Sequence, residues 1–181
     1  MTALLFIRHG QTDGNKQGIA YGQEVDGPLN EVGIAQVQAA AQALPAGIDE
    51  ILSSPMKRAL QTAEILNGNL GLPISTRDDL KELSYGRLGG MTWDEIAAET
   101  GDPDIRIKDT SSAYDYRAFG GESAEDVRVR VRGFIDFAKN EHSGKTVLIT
   151  THGGILEAAK SLYSPGEITE AVNAEVFRVE I

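Results

Sequence analysis

Leu4-Leu5-Phe6-Ile7-Arg8-His9-Gly10-Gln11-Thr12 is the stretch whose reading decides the fold. Its first four residues are apolar without a break, so no side of the segment is polar. A short run of this kind reads as a strand buried on both faces of a sheet. It stops on a guanidinium, an imidazole and a glycine. In an open α/β sheet, ligands bind in the crevice beyond the carboxyl ends of the strands, which is where Arg8 and His9 then stand. Gly10 removes a Cβ at the turn and lets a ligand or another backbone approach closely. Arginine offers a planar fork of donors suited to phosphate or carboxylate. Histidine can attack or shuttle protons near neutral pH.

A second run of the same kind, Thr146-Val147-Leu148-Ile149-Thr150-Thr151, also ends in His-Gly, at His152-Gly153. If the two strands are parallel neighbours, both imidazoles share one rim of the sheet. The third histidine, His142, falls near a helix end and reads as a solvated side chain compatible with the dipole there.

Between these strands the pattern alternates strand and helix. A Gly-rich, polar loop spans Asp13 to Pro28. Asn30 is placed to cap a helix whose stripe is Ile34, Val37, Ala41 and Leu44, ending before Pro45. Ile48 to Leu52 reads as a short strand, and Pro55 starts a helix with Met56, Leu60, Ala63 and Leu66 on one face. Arg58 lies in the first turn of that helix, where the dipole disfavours a cation unless an anion is also there. Ile74-Ser75-Thr76 reads as a strand. Thr92 and Glu95 form a capping box before a helix through Glu99. Residues 101–121 are long, polar and aromatic-bearing, which suits either a lid or a surface loop. Ser123 and Asp126 open a helix through Lys139. Its arginines Arg128, Arg130 and Arg132 are assigned to the solvated side, because the global charge argues against a nucleic-acid patch. A helix over Gly154–Leu162 and an alternating last strand over Glu175–Ile181 complete the chain.

Composition narrows the function classes. The 181 residues suit one domain over 1–181 with a sizeable core. There are no cysteines, which excludes disulfides, thiolate catalysis and Cys-ligated metal. A formal net charge of -10 disfavours nucleic acid, so any phosphate site must be a local cluster of cations in an acidic surface. No run is long enough to span a bilayer and no signal peptide is evident, so a cytoplasmic location without membrane partners is expected. Neither rim histidine has the His-x₃-His spacing or clustered carboxylates of a metal site. Two imidazoles with Arg8 and Arg58 instead make an anion pocket containing a nucleophile.

Arg8-His9-Gly10-Gln11-Thr12, Ser54-Pro55 through Arg58, Leu80-Lys81-Glu82 with Tyr85-Gly86, Gly121-Glu122-Ser123 and Thr151-His152-Gly153 resemble, in order, the motif set of the histidine phosphatase superfamily, the phosphoglycerate-mutase-like fold. The resemblance implies a three-layer α/β/α sandwich with a largely parallel central sheet. It makes His9 the phosphorylated nucleophile and Glu82 the proton donor to the leaving oxygen. Arg8, Arg58 and His152, the last as an imidazolium, would hold the transferring phosphoryl oxygens, with Asn15 and Gly153 as further phosphate contacts. No metal or organic cofactor is implied, and the expected partner is a phosphorylated small molecule.

The chain departs from that family in three places. Gln11 replaces a frequent Glu, Arg87-Leu88-Gly89-Gly90 looks more like the mutase version of its segment, and the region after Tyr163 looks abbreviated. Two alternatives therefore stand beside a metal-independent phosphomonoesterase: a cofactor-dependent phosphoglycerate mutase and a non-catalytic phosphate-ligand binder. The link from Glu82 to Gly121 is short and more acidic than basic, a poor lining for a trianionic substrate, which favours hydrolysis.

Overall fold

The computed structural model describes residues 1–164 and 170–181. Residues 165–169 belong to the stretch after Tyr163 that reads as abbreviated in sequence, and lie outside the described residues. The elements, in chain order, are β1 (Ala3–Arg8), α1 (Asp13–Gln17), α2 (Glu31–Gln42), β2 (Glu50–Ser53), α3 (Lys57–Asn67), β3 (Ile74–Thr76), α4 (Trp93–Thr100), α5 (Ile105–Thr110), α6 (Ala124–Glu141), β4 (Thr146–Thr151), α7 (Gly153–Tyr163) and β5 (Val176–Glu180).

The five strands form one sheet in the order β3-β2-β4-β1-β5. All neighbours are parallel except β5, which runs antiparallel to β1 on the outer edge. The two apolar runs, β1 and β4, lie side by side with Leu4 opposite Val147 and Arg8 opposite Thr151. Alternate residues of β1 go to opposite faces, as a pleated strand requires. Leu4 and Phe6 join the core beneath α6 and α7 with Val127, Val131, Phe134, Ile155 and Leu156. Leu5 and Ile7 join the core beneath α2 and α3 with Val37, Ala63 and Leu66. The result is the expected three-layer α/β/α sandwich. Both faces of β1 and β4 are closed to water, which is why neither strand alternates in hydropathy.

The capping boxes form as the sequence indicates. Thr92 and Glu95 close the start of α4, and Ser123 and Asp126 close the start of α6. Several expectations need correction. The loop from Asp13 begins as a helical turn, α1, because Thr12 and Asn15 make a further capping box. In α2 the inward face carries Gly33 and Val37 while Ile34 is exposed. The reason is close packing against the turn after β1: a Cβ on Gly10 would lie 2.4 Å from the Gly33 carbonyl oxygen. Residues 101–121 are neither a free lid nor a surface loop. They contain α5, and Ile105, Tyr114 and Tyr116 are buried in the core under α6. His142 caps the C-terminal end of α6 but is not a solvated side chain, since its Nδ1 pairs with Glu50 and its ring meets Phe137 edge-on. No described helix is long and apolar enough to cross a membrane.

Candidate active site

Three parallel strands deliver their next residues to one rim. His9 follows β1, Ser54 follows β2 and His152 follows β4. Their levels are matched because His9 N donates to Thr151 O at 2.9 Å and Ser54 N donates to Thr150 O at 2.9 Å. The His9 and His152 rings then stack edge to face with centroids 5.2 Å apart. A cavity of about 200 Å³ opens in front of this rim, lined by Arg8, His9, Asn15, Arg58, Glu82 and Gly153 among others. His152 is fully buried beside it.

The hydrogen bonds orient His9. Its Nδ1 lies 2.7 Å from the Gly10 carbonyl oxygen, which can only accept, so Nδ1 carries the proton and the lone pair sits on Nε2. Burial pushes the His9 pKa well below its ordinary value, and the Arg58 and Arg8 guanidiniums add to that. The ring is therefore a neutral imidazole at neutral pH, with its lone pair on Nε2.

Arg58 is buried, not solvated. Its terminal nitrogens donate to Val25 O at 3.0 Å and Gly22 O at 2.9 Å, which leaves Nε to point at His9 Nε2 at 3.2 Å. Two backbone carbonyls of the Gly-rich loop thus aim the remaining N–H at the position a phosphorus bound to Nε2 would adjoin. Asn15 spends its Oδ1 on the Thr12 amide and hydroxyl, so its amide nitrogen is what it can offer the cavity.

Two buried donors on this side are left without partners: Arg8 Nε and His152 Nδ1. An unpaired buried donor costs free energy unless a ligand satisfies it. His152 Nε2 meets Ser54 Oγ at 2.8 Å, while Ser54 Oγ accepts from Met56 N at 3.3 Å. With the Ser54 hydroxyl donating to Nε2, the ring proton lies on Nδ1, the orphaned atom. Burial and the neighbouring Arg58 hold the His152 pKa well below its usual value. His152 is thus a neutral donor and not the imidazolium expected from sequence.

Glu82 faces the histidines from the segment after β3. Its Oε1 accepts from Leu83 N at 2.9 Å and from Gly154 N, in the first turn of α7, at 3.1 Å. A Cβ at Gly154 would lie 2.8 Å from Glu82 Oε1 and 2.7 Å from a Leu83 methyl, so a side chain there would push the Glu82 carboxyl out of its position. Every site residue singled out in the sequence therefore lies in or beside one cavity.

Other residues of the site escape sequence reading. Arg130, assigned to the solvated side of α6, turns inward. It donates to Lys81 O at 2.6 Å, Asp79 O at 3.1 Å and Glu82 O at 3.4 Å, and pairs with Glu122 at 2.9 Å. The period-two alternation of Val and Arg in that stretch hid it. Asn173 donates to His9 O at 3.0 Å from just before β5, with no local signal to reveal it. Trp93, Asp109, Glu157 and Glu170 also line the cavity.

Comparison with known proteins agrees with this geometry. The family described as histidine phosphatase superfamily (branch 1) matches residues 4–176. An uncharacterized phosphatase, PhoE, of Bacillus subtilis is 34% identical over 185 residues, covering 99% of this chain and 89% of that protein. A metal-independent phosphoserine phosphatase of Arabidopsis thaliana is 34% identical over 164 residues, 87% of this chain and 67% of that one. Relatives at 32% identity include a 2,3-bisphosphoglycerate-dependent phosphoglycerate mutase of Methylocella silvestris. Some mycobacterial relatives are longer, and the chain spans 41% of their length. Among solved structures, a mycobacterial glucosyl-3-phosphoglycerate phosphatase in complex with VO3 superposes with a TM-score of 0.83 at 27% identity, over 98% of this chain and 92% of that chain.

Proposed function

This chain belongs to the histidine phosphatase superfamily, branch 1, and we propose that it is a metal-independent phosphatase that hydrolyses phosphomonoesters through a phosphohistidine at His9. The observation that carries this reading is the His9 ring: neutral, with its proton fixed on Nδ1 by Gly10 O and its lone pair facing an arginine-lined cavity. Among the described residues no group of His, Asp and Glu is arranged to hold a metal ion. The guanidiniums and the orphaned His152 donor supply the charge stabilisation that a metal would otherwise provide.

His9 Nε2 attacks phosphorus as the bond to the ester oxygen breaks, and that oxygen takes the proton of the Glu82 carboxyl. The Nδ1–H bond to Gly10 O stabilises the positive ring that forms. Arg8 Nε, Arg58 Nε and His152 Nδ1 donate to the equatorial oxygens, whose charge is what such a transition state asks a protein to stabilise. Water then attacks phosphorus, gives its proton to the Glu82 carboxylate, and the P–N bond breaks to release phosphate.

The mutase reading is less well supported. A mutase has to hold a second phosphate and a carboxylate while it keeps water away, and beyond Arg8 and Arg58 the described cavity lining carries Asp109, Glu157 and Glu170 against Arg106. The test supplies 3-phosphoglycerate with catalytic 2,3-bisphosphoglycerate and follows both 2-phosphoglycerate and free phosphate. Phosphate release that survives exhaustive chelation supports the phosphatase reading. Interconversion faster than release by orders of magnitude would replace it with the mutase.

A further inference from the structure

Glu82 lies on the link between β3 and α4, in neither element, although proton transfer demands a fixed place for its carboxyl. Two carboxylates from distant parts of the chain hold that link at Ser84. Glu122, just ahead of α6, accepts from Ser84 N through Oε2 at 2.8 Å, and its own N donates to Ser84 O at 2.9 Å. Glu24 meets the same residue from the Gly-rich loop. Ser84 Oγ donates to Glu24 Oε1 at 2.6 Å, Gly86 N to Oε1 at 3.2 Å and Tyr85 N to Oε2 at 3.3 Å. These two amides lead into a 3₁₀ turn over Gly86–Leu88, whose first N–H groups find no acceptor inside the turn. Glu24 is exposed, yet its side chain has a seat between two glycines. A Cβ on Gly89 would lie 2.5 Å from Glu24 Cβ, and one on Gly22 would collide with Glu24 Oε2.

The residues around Glu24 hold the other half of the chemistry. Gly22 O and Val25 O clamp the Arg58 guanidinium, and Asp26 Oδ1 accepts from Lys57 N at 2.7 Å, at the start of the helix that carries Arg58. That helix has no side-chain cap of its own, since its N-cap residue is Met56. Burial lowers the Arg58 pKa, and the charges of Glu82 and Asp26 work against that lowering, so the donor carboxyl and the guanidinium feel each other across the site. The run Gly22 to Asp26 thus grips the arginine with its backbone and the Glu82-bearing link with one side chain. Resting on the phosphatase reading, in which Glu82 is the proton donor, we infer that Glu24 is a positioning residue, the tie that sets Glu82 against Arg58. It acts through Ser84 and the two amides after it, and touches no substrate. Without it the link keeps its anchor to α6 through Glu122 but loses its register with the Arg58 clamp. Proton delivery to the leaving oxygen then suffers more than the hold on the phosphoryl group.

The test varies the leaving group. p-Nitrophenolate departs without a proton, whereas an alkoxide needs one. The ratio of kcat/KM for p-nitrophenyl phosphate to that for 2-hydroxyethyl phosphate therefore reports donation by Glu82. Disturbance of Arg58 or of the fold slows both esters alike and leaves the ratio as it was. Glu82→Gln, the reference, should raise the ratio about a hundredfold or more. Glu24→Ala should raise it about tenfold. Glu24→Gln keeps an oxygen for Ser84 Oγ and Gly86 N, and should bring it back to within about threefold of wild type. Ser84→Ala removes the hydroxyl on the other side of the contact and should raise the ratio in the same direction. Adding it to Glu24→Ala should raise the ratio no further, since both remove one interaction. A ratio unchanged from wild type in either folded variant, Glu24→Ala or Ser84→Ala, would overturn the inference and leave the phosphatase reading standing. An unchanged ratio in Glu82→Gln, or no phosphate release from either ester by the wild type, would strike at the phosphatase reading itself and remove the inference with it.

Discussion

The histidine and arginine rim of the cavity and the carboxylates that also line it are built in different ways, and the difference decides how visible each is in the sequence. The rim stands on strand termini. His9, Ser54 and His152 follow three parallel strands whose register is fixed by backbone hydrogen bonds, and Arg58 is clamped by two carbonyls. The carboxylates Asp109, Glu157 and Glu170 come from α5, from α7 and from a position beyond residues 165–169, and Asp109 is held by tyrosine hydroxyls. Rigid backbone positions the group that must attack. Side chains from helices and connecting segments line the rest.

Substitutions at the rim should give the largest effects. His9→Ala should lower phosphate release by at least about a thousandfold, as for loss of a nucleophile. Steady-state assay with p-nitrophenyl phosphate measures it, and near-normal turnover would dissolve the contrast between rim and lining. Arg58→Ala and His152→Ala should each cost about a hundredfold or more in kcat, the range for a lost transition-state donor. A loss below about tenfold would mean that the phosphoryl seat is misassigned.

Two residues behind the rim act through others. Arg130 holds the carbonyls of Lys81 and Glu82, so Arg130→Ala should lower kcat about tenfold with KM little changed, and Arg130→Lys should restore part of it. A rise in KM alone would make Arg130 a structural prop and nothing more. Ser54→Ala should cost less, about three- to tenfold, because one hydrogen bond fixing the His152 tautomer is removed.

The smallest effect concerns stability and has opposite signs for the rim histidines and the lining carboxylates. His9 and His152 are buried neutral with pKa values well below the ordinary 6.5, so below that pH the unfolded chain binds more protons and stability falls. Glu157 and Asp109 are raised to about 8 and about 7, so the folded chain keeps protons that the unfolded chain releases above the usual carboxylate range, and stability falls as pH rises toward 8. Melting temperatures should accordingly show Glu157→Gln more stable than the parent at pH 9 and nearly equal to it at pH 5. His9→Gln should flatten the acid limb instead. The same change on both limbs in either variant would remove the charge asymmetry from the account.

The contrast also explains what could be read in the chain itself. The strands β1 and β4 announce themselves because burial on both faces leaves only apolar residues, and each ends on the residues that form the rim. Glu82 and Arg58 were reachable through motif order. The lining carboxylates were not, since Asp109 lies in a segment whose polar, aromatic composition resembles a surface loop. Its burial depends on Tyr114 and Tyr116 packing under α6, a tertiary contact. Arg130 was misplaced because alternating Val and Arg has no helical period to show which arginine turns inward. His142 was misplaced because its partner, Glu50, is 92 residues away.

The central claim is that His9 Nε2 carries the phosphoryl group. Brief mixing with a turned-over phosphomonoester, followed by quenching in base and peptide mass spectrometry, tests it most directly. The account predicts an acid-labile, base-stable phosphoryl group on the peptide containing His9, present in Glu82→Gln, where donation of the proton and activation of water are both slowed, and absent in His9→Ala. Phosphate release at normal rates with no modified His9 at any time, or a phosphoryl group on His152 in its place, would contradict it.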